Sequence, residues 1–181
     1  MNKKNIYLTG FMGAGKSTIG PILANTIGWD FFDLDSVIEK KNGKKVRKIF
    51  EEDGEAHFRK IETQELIELS QKDSSVISLG GGTMASEINL QILKNSGTVV
   101  YLKASTESFY KRLRYKRDRP SLAVNELEDF SKEKLVNRID SLISEREQYY
   151  KQADIIVNTD NTSVGRTVDK IVKLLNDTNK D

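Results

Sequence analysis

Gly10-Phe-Met-Gly-Ala-Gly15-Lys16-Ser17 stands between the short apolar run Ile6-Tyr-Leu-Thr and a segment in which Ile19, Leu23 and Ile27 recur at helical spacing. A strand, a glycine-rich turn and a helix opening on Gly-Lys-Ser constrain the chain to an α/β architecture, because such a loop cradles phosphate only where a helix N-terminus follows a strand. Glycines let successive N–H groups turn toward an anion without interference from Cβ, and the helix start adds its positive end. Lys16 is placed to reach the terminal phosphates and Ser17 to hold Mg²⁺.

The rest of the chain repeats the alternation. Short β-branched or aromatic runs at Ile6–Leu8, Asp30–Phe32, Val76–Leu79, Val99–Leu102 and Ile155–Val157 are separated by longer helical segments, the last carrying the stripe Val168, Ile171, Val172 and Leu175. Both flanking helices can cover a parallel sheet. Pro21 falls inside the first helix, where it removes a backbone hydrogen bond and is expected to bend the axis. At 181 residues the chain reads as one domain, without linker, internal repeat or low-complexity segment.

Several chemistries are excluded. No cysteine is present, which removes thiolate metal sites and thiol nucleophiles, and the single histidine, His57, cannot supply a His-rich metal site or a Ser-His-Asp triad. With 29 basic and 27 acidic residues, there is no general electrostatic case for nucleic acid or membrane. Met1-Asn-Lys-Lys-Asn runs straight into the first strand, and no apolar run approaches membrane-spanning length, so a cytoplasmic, monomeric enzyme is the expectation.

Candidate chemistry gathers at strand ends. Asp33 and Asp35 close the second strand, where open α/β sheets bind ligands; one could support the metal through water while the other contacts an acceptor hydroxyl. The competing reading makes Asp35 the cap of a helix starting at Ser36. An ordinary carboxylate pKa of about 4 would make Asp35 a poor base. The third strand ends in Leu79-Gly80-Gly81-Gly82-Thr83 with no metal-binding acid after it, which leaves bare backbone where a small substrate must come close. Arg59 and Arg146 offer two planar forks suited to a carboxylate. The basic segment from Arg112 to Arg119-Pro120, continuing through polar Ala123–Asp129, reads as a loop whose cations close over an anionic transition state.

Together these residues resemble the shikimate kinase family. The resemblance runs from Leu8-Thr-Gly-Phe-Met-Gly-Ala-Gly-Lys-Ser-Thr through Phe32-Asp-Leu-Asp-Ser-Val-Ile-Glu and Ile49-Phe-Glu-Glu-Asp-Gly-Glu-Ala-His-Phe-Arg59 to Gly80-Gly-Gly and Arg119-Pro. It implies a P-loop fold of the nucleoside-monophosphate-kinase type over residues 1–181, with a five-stranded parallel sheet. The phosphate loop would occupy 10–17, the substrate-binding helical region about 33–62 and the lid about 112–129. It implies phosphorylation of the shikimate 3-hydroxyl by ATP with Mg²⁺, on the route to chorismate and the aromatic amino acids. By matching motif, Gly13, Ala14, Gly15, Lys16, Ser17 and Thr18 would bind ATP, Ser17 would ligate the metal and Asp33 would support it. Asp35, Arg59, Gly81 and Arg146 would bind shikimate, Arg119 would come from the lid, and Arg112 would lie near the adenine. Lys16, Asp35 and Arg119 would carry the chemistry.

The chain departs from the family pattern at Lys45 and Lys48, which make the approach to the acceptor pocket more basic, and at Ser121, where a leucine often follows Arg-Pro. It also lacks a basic residue around Asp160–Thr162. Alternatives are another small-molecule kinase, such as a gluconate or nucleotide kinase, and a non-catalytic ATP-binding regulator. Gly80–Gly82 with Asp35, Arg59 and Arg146 argues for a hydroxylated carboxylate over a nucleotide, and retention of Lys16, Ser17, Asp33, Asp35 and Arg119 argues against a regulator. No Asn-Lys-x-Asp motif supports a GTPase.

Overall fold

The computed structural model describes residues 5–114 and 132–178. Five strands, β1 (Asn5–Thr9), β2 (Asp30–Asp33), β3 (Ser75–Ser78), β4 (Gly97–Lys103) and β5 (Ile155–Asn158), form one parallel sheet in the order β2-β3-β1-β4-β5. Each lies within two residues at either end of an apolar run in the sequence. Side chains alternate across the sheet. Ile6, Leu8, Val76, Val100 and Leu102 enter one core, while Tyr7, Ile77, Val99 and Tyr101 enter the other.

Helices α1 (Lys16–Ile27), α6 (Thr106–Leu113), α7 (Lys132–Tyr150) and α8 (Val164–Thr178) bury Ile19, Leu23, Phe109, Ile139 and Ile171 in the first core. Helices α2 (Leu34–Asn42), α3 (Val46–Asp53), α4 (Glu55–Ser70) and α5 (Glu87–Ser96) bury Ile38, Ile49, Leu66 and Leu93 in the second. α1 runs unbroken through Pro21, which has no N–H to give to the Ser17 carbonyl one turn earlier.

This topology opens the site. β1 and β3 are neighbours, yet the chain leaves β1 for α1 on one face and leaves β3 for α5 on the other. Two adjacent loops that part to opposite faces leave a crevice at the carboxyl ends of their strands. Short polar caps fix the helices around it. The Asp33 carboxylate accepts the Ser36 N–H at 3.0 Å, and Ser86 and Ser105 cap α5 and α6.

Candidate active site

A cleft of about 850 Å³ occupies the crevice and receives the phosphate loop at one end and the Gly80–Gly82 turn at the other. In the loop, Gly15 takes φ 101° as the N-cap of α1, a left-handed conformation that an L side chain adopts only with strain. Ala14 and Phe11 are buried beneath, and the Phe11 ring meets Phe109 edge to face. Lys16 Nζ donates to the Gly10 carbonyl at 2.7 Å and to the Phe11 carbonyl at 3.3 Å, so the ammonium is held over the loop. Gly13, Ser17 and Thr18 face the same cleft.

Asp33 and Asp35 both line the cleft, by a route other than the expected one. The strand does not continue past Asp33, because α2 begins at Leu34. The capping role considered for Asp35 belongs to Asp33, and Asp35 stands in the first helical turn with its side chain directed to the cleft. Burial pushes the Asp35 carboxyl up to about 6, with Asp33 and Glu62 adding repulsion and Lys16 opposing it. The ordinary value near 4 expected from sequence is therefore corrected upward.

The three glycines are explained by space. None of Gly80, Gly81 or Gly82 has positive φ. A Cβ on Gly80 would lie 3.1 Å from both Asp35 Oδ1 and Glu62 Oε1. One on Gly81 would lie 3.0 Å from Arg146 Nη1, and one on Gly82 only 2.6 Å from Arg59 Nη2. The bare backbone thus admits the protein's own charged side chains, and two guanidiniums from α4 and α7 converge on one turn. Tyr150, buried at the end of α7, donates its hydroxyl to the Gly81 carbonyl at 2.8 Å and stacks on Tyr101.

Arg59 is tightly determined. Its Nη1 donates to Glu62 at 2.7 Å, its Nε and Nη2 to Glu55 at 3.3 and 3.1 Å, and its guanidinium lies near the Phe50 and Phe58 rings. Glu62 has no solvent exposure and also accepts from Thr83 Oγ1 at 2.6 Å. Glu62, Thr83 and Tyr150 were not among the residues expected here. A signal for Glu62 existed: Phe58, Leu66 and Leu69 define the buried stripe of α4, and Glu62 and Glu65 fall on it. A buried acid requires a cation, which Arg59 and Lys41 supply.

Arg112 and Leu113 belong to α6, which corrects the start of the expected loop. The Arg112 fork donates to the Gly13 carbonyl at 3.1 Å and to the Thr159 carbonyl at 3.1 Å, tying the phosphate loop to the end of β5. Residues 115–129 of the expected lid, Arg119 and Ser121 among them, lie outside the described residues. Around Asp160, the carboxylate accepts the Ser105 N–H and hydroxyl at the start of α6. Lys45 pairs with Glu39 at 2.7 Å, and Lys48 lies 3.4 Å from Glu52, which also pairs with Lys44 at 2.7 Å. His57 is exposed on α4. Among the described residues no helix is long and apolar enough to cross a membrane, and no cluster of three acidic or histidine side chains could enclose a metal.

Known proteins share this arrangement. The shikimate kinase family model matches residues 12–176. A shikimate kinase of Chlorobaculum parvum is 43% identical over 168 residues, covering 93% of this chain and 90% of the relative, and one of Chlorobium chlorochromatii is 44% identical over 168 residues, covering 93% and 88%. The shikimate kinase of Acinetobacter baumannii, solved in complex with shikimate, superposes with a TM-score of 0.87 at 34% identity, covering 98% of this chain and 95% of that one. That of Bacteroides thetaiotaomicron gives 0.86 at 33% identity, covering 96% and 98%. The family match takes in Met12 to Ser17 of the phosphate loop, the turn after β3 and the helix carrying Arg146, and the chain belongs to the shikimate kinase family.

Proposed function

We propose that the protein transfers the γ-phosphoryl group of ATP to the 3-hydroxyl of shikimate, giving ADP and shikimate 3-phosphate on the route to chorismate. The observation that carries this reading is the convergence of Arg59 and Arg146 on Gly80–Gly82, beside Asp35 and in one cleft with the phosphate loop. Two forks at one end suit a carboxylate, Asp35 suits a hydroxyl on the same small ring, and Lys16 suits the phosphates. Gluconate kinase and regulator alternatives draw no comparable support.

Backbone N–H groups of Gly13 to Thr18 bind the polyphosphate, and the Lys16 ammonium offsets charge that spreads over the transferred group. Arg59 and Arg146 hold the shikimate carboxylate, with Gly81 beneath it, and fix which hydroxyl meets the phosphate. Asp35 accepts a hydrogen bond from that hydroxyl and takes its proton as the new P–O bond forms. Its raised pKa makes it a better base than an exposed aspartate. Arg112 supports the loop from the nucleotide side, and Arg119 is assigned to the transferring phosphate by family motif alone.

Mg²⁺ fits this donor set. The Ser17 hydroxyl and the Asp33 carboxylate both face the cleft, and Mg²⁺ binds through few protein oxygens, retaining water and phosphate ligands. When bound, it would neutralise charge between the β and γ phosphates. A coupled ADP-release assay over shikimate, gluconate and nucleoside monophosphates tests the reading. Shikimate-dependent turnover requiring Mg²⁺ is expected, and turnover with another acceptor but none with shikimate overturns it.

A further inference from the structure

The Arg59 fork holds two carboxylates at once, Glu62 through Nη1 and Glu55 through Nε and Nη2. Glu55 is largely exposed, whereas Glu62 is wholly buried beside Gly80. Only the Glu62 carboxylate is sheltered from water. Holding Arg59 Nη1 in place requires Glu62 to keep its rotation without solvent, and that requires its second oxygen to be satisfied.

We propose that Thr83 is a positioning residue for recognition of the acceptor's carboxylate: its buried hydroxyl orients Glu62, and Glu62 fixes Arg59. Thr83 is itself wholly buried and donates to Glu62 Oε1 at 2.6 Å, while Glu62 Oε2 accepts from Arg59 at 2.7 Å. The hydroxyl cannot drift, because Thr83 opens the single 3-10 turn Thr83–Ala85, with its N–H directed to the Gly80 carbonyl at 3.3 Å. Its own carbonyl accepts from Asn89 Nδ2 at 3.0 Å, and Asn89 Oδ1 accepts from Thr63 Oγ1 at 2.8 Å. Glu62 and Thr63 are consecutive on α4, so the turn after β3 is docked to the helix of Arg59 through two adjacent residues. Without the Thr83 hydroxyl, Glu62 Oε1 becomes a buried acceptor without this donor, close to Asp35 across Gly80. Arg59 Nη1 then loses a fixed partner, and the fork is left to exposed Glu55.

The inference rests on Arg59 as a shikimate ligand, and wild-type turnover with shikimate is the control that separates the two. Thr83→Val removes the hydroxyl at nearly constant volume, and Thr83→Ser retains it. Thr83→Val is expected to raise the shikimate KM about tenfold, the scale of one hydrogen bond to a charged group. The ATP KM should stay within about twofold, and Thr83→Ser should restore the shikimate KM. If Thr83→Val does not fold, Thr83→Ala is measured alone and in a Glu62→Gln background, where the second change should add nothing. A shikimate KM near wild type, equal behaviour of the valine and serine variants, a matching rise in ATP KM, or full additivity with Glu62→Gln overturns the role of Thr83. Absence of shikimate turnover in the wild type overturns instead the proposed function on which it rests.

Discussion

The two ends of the cleft are built by different physics. At the phosphate end, the loop over residues 10–17 supplies backbone N–H groups and one ammonium within a single stretch of chain. At the acceptor end, Asp35 comes from α2, Arg59 from α4, the glycines from the loop after β3 and Arg146 from α7. A backbone-made site needs only local conformation, whereas a side-chain-made site needs four elements to pack correctly. Mutations at the first should impair the chemical step, and most mutations at the second should alter which acceptor is held and how well.

The largest test of this contrast is Lys16→Ala, which should lower kcat by at least about 100-fold while the folded protein still binds shikimate, measured by single-turnover transfer and by calorimetry. Near-normal turnover would remove the loop from the mechanism. Asp35 breaks the simple division, since it lies at the acceptor end yet is the residue proposed to act on the reacting hydroxyl. Asp35→Asn should lower kcat by about 100-fold or more, with little change in ATP affinity. In the wild type, kcat/KM for shikimate should fall as pH drops through about 6, because protonation of Asp35 removes the acceptor for the hydroxyl proton. An acid limb that survives unchanged in Asp35→Asn would belong to another group.

Arg59→Lys and Arg146→Lys keep the charge and lose the fork. Each should cost roughly 1.5–3 kcal/mol in transition-state binding, read from kcat/KM. Shikimate amide should scarcely distinguish these variants from wild type, and equal losses for acid and amide would end the clamp. Gly82→Ala sharpens the comparison further. Its Cβ would fall 2.6 Å from Arg59 Nη2, so the guanidinium must move and the shikimate KM should rise about tenfold, while the ATP KM stays near wild type.

The smallest expected effect concerns stability. The folded pKa of Asp35 lies above its unfolded value, so the folded state binds more protons between those values, and stability falls as pH rises from about 4 to about 6. Above that window, ionised Asp35 costs on the order of 3 kcal/mol. Asp35→Asn should therefore raise Tm at pH 7.5 more than at pH 4, measured calorimetrically. An equal shift at both pH values would mean that burial of the charge is not what strains the site.

The regions differ in legibility for the same reason they differ in construction. The phosphate loop and five strands were readable because glycine spacing, a Gly-Lys-Ser helix start and β-branched runs act over a few residues. Arg59, Arg146 and Gly81 could be named as candidates from residue type and family motif, but their shared location could not. Arg112 and Leu113, expected in a loop, instead close α6, because Leu113 is apolar and packs beneath Gly13, and charge density alone does not reveal a neighbour distant in sequence. Lys45 likewise meets Glu39 only once α2 and α3 are folded.

Local stereochemistry and hydrophobic period were enough for the sequence alone to determine the parallel α/β alternation and the phosphate loop, and the matching motifs added the resemblance to shikimate kinases. Tertiary structure decided what depends on desolvation and on distances between elements. It moved the cap from Asp35 to Asp33, raised the Asp35 pKa to about 6, and buried Glu62 between Arg59 and Thr83. It also gave the glycines after β3 their reason, as room for two arginines. Burial strength and through-space charge depend on atoms brought together by folding, and no spacing along a chain records them.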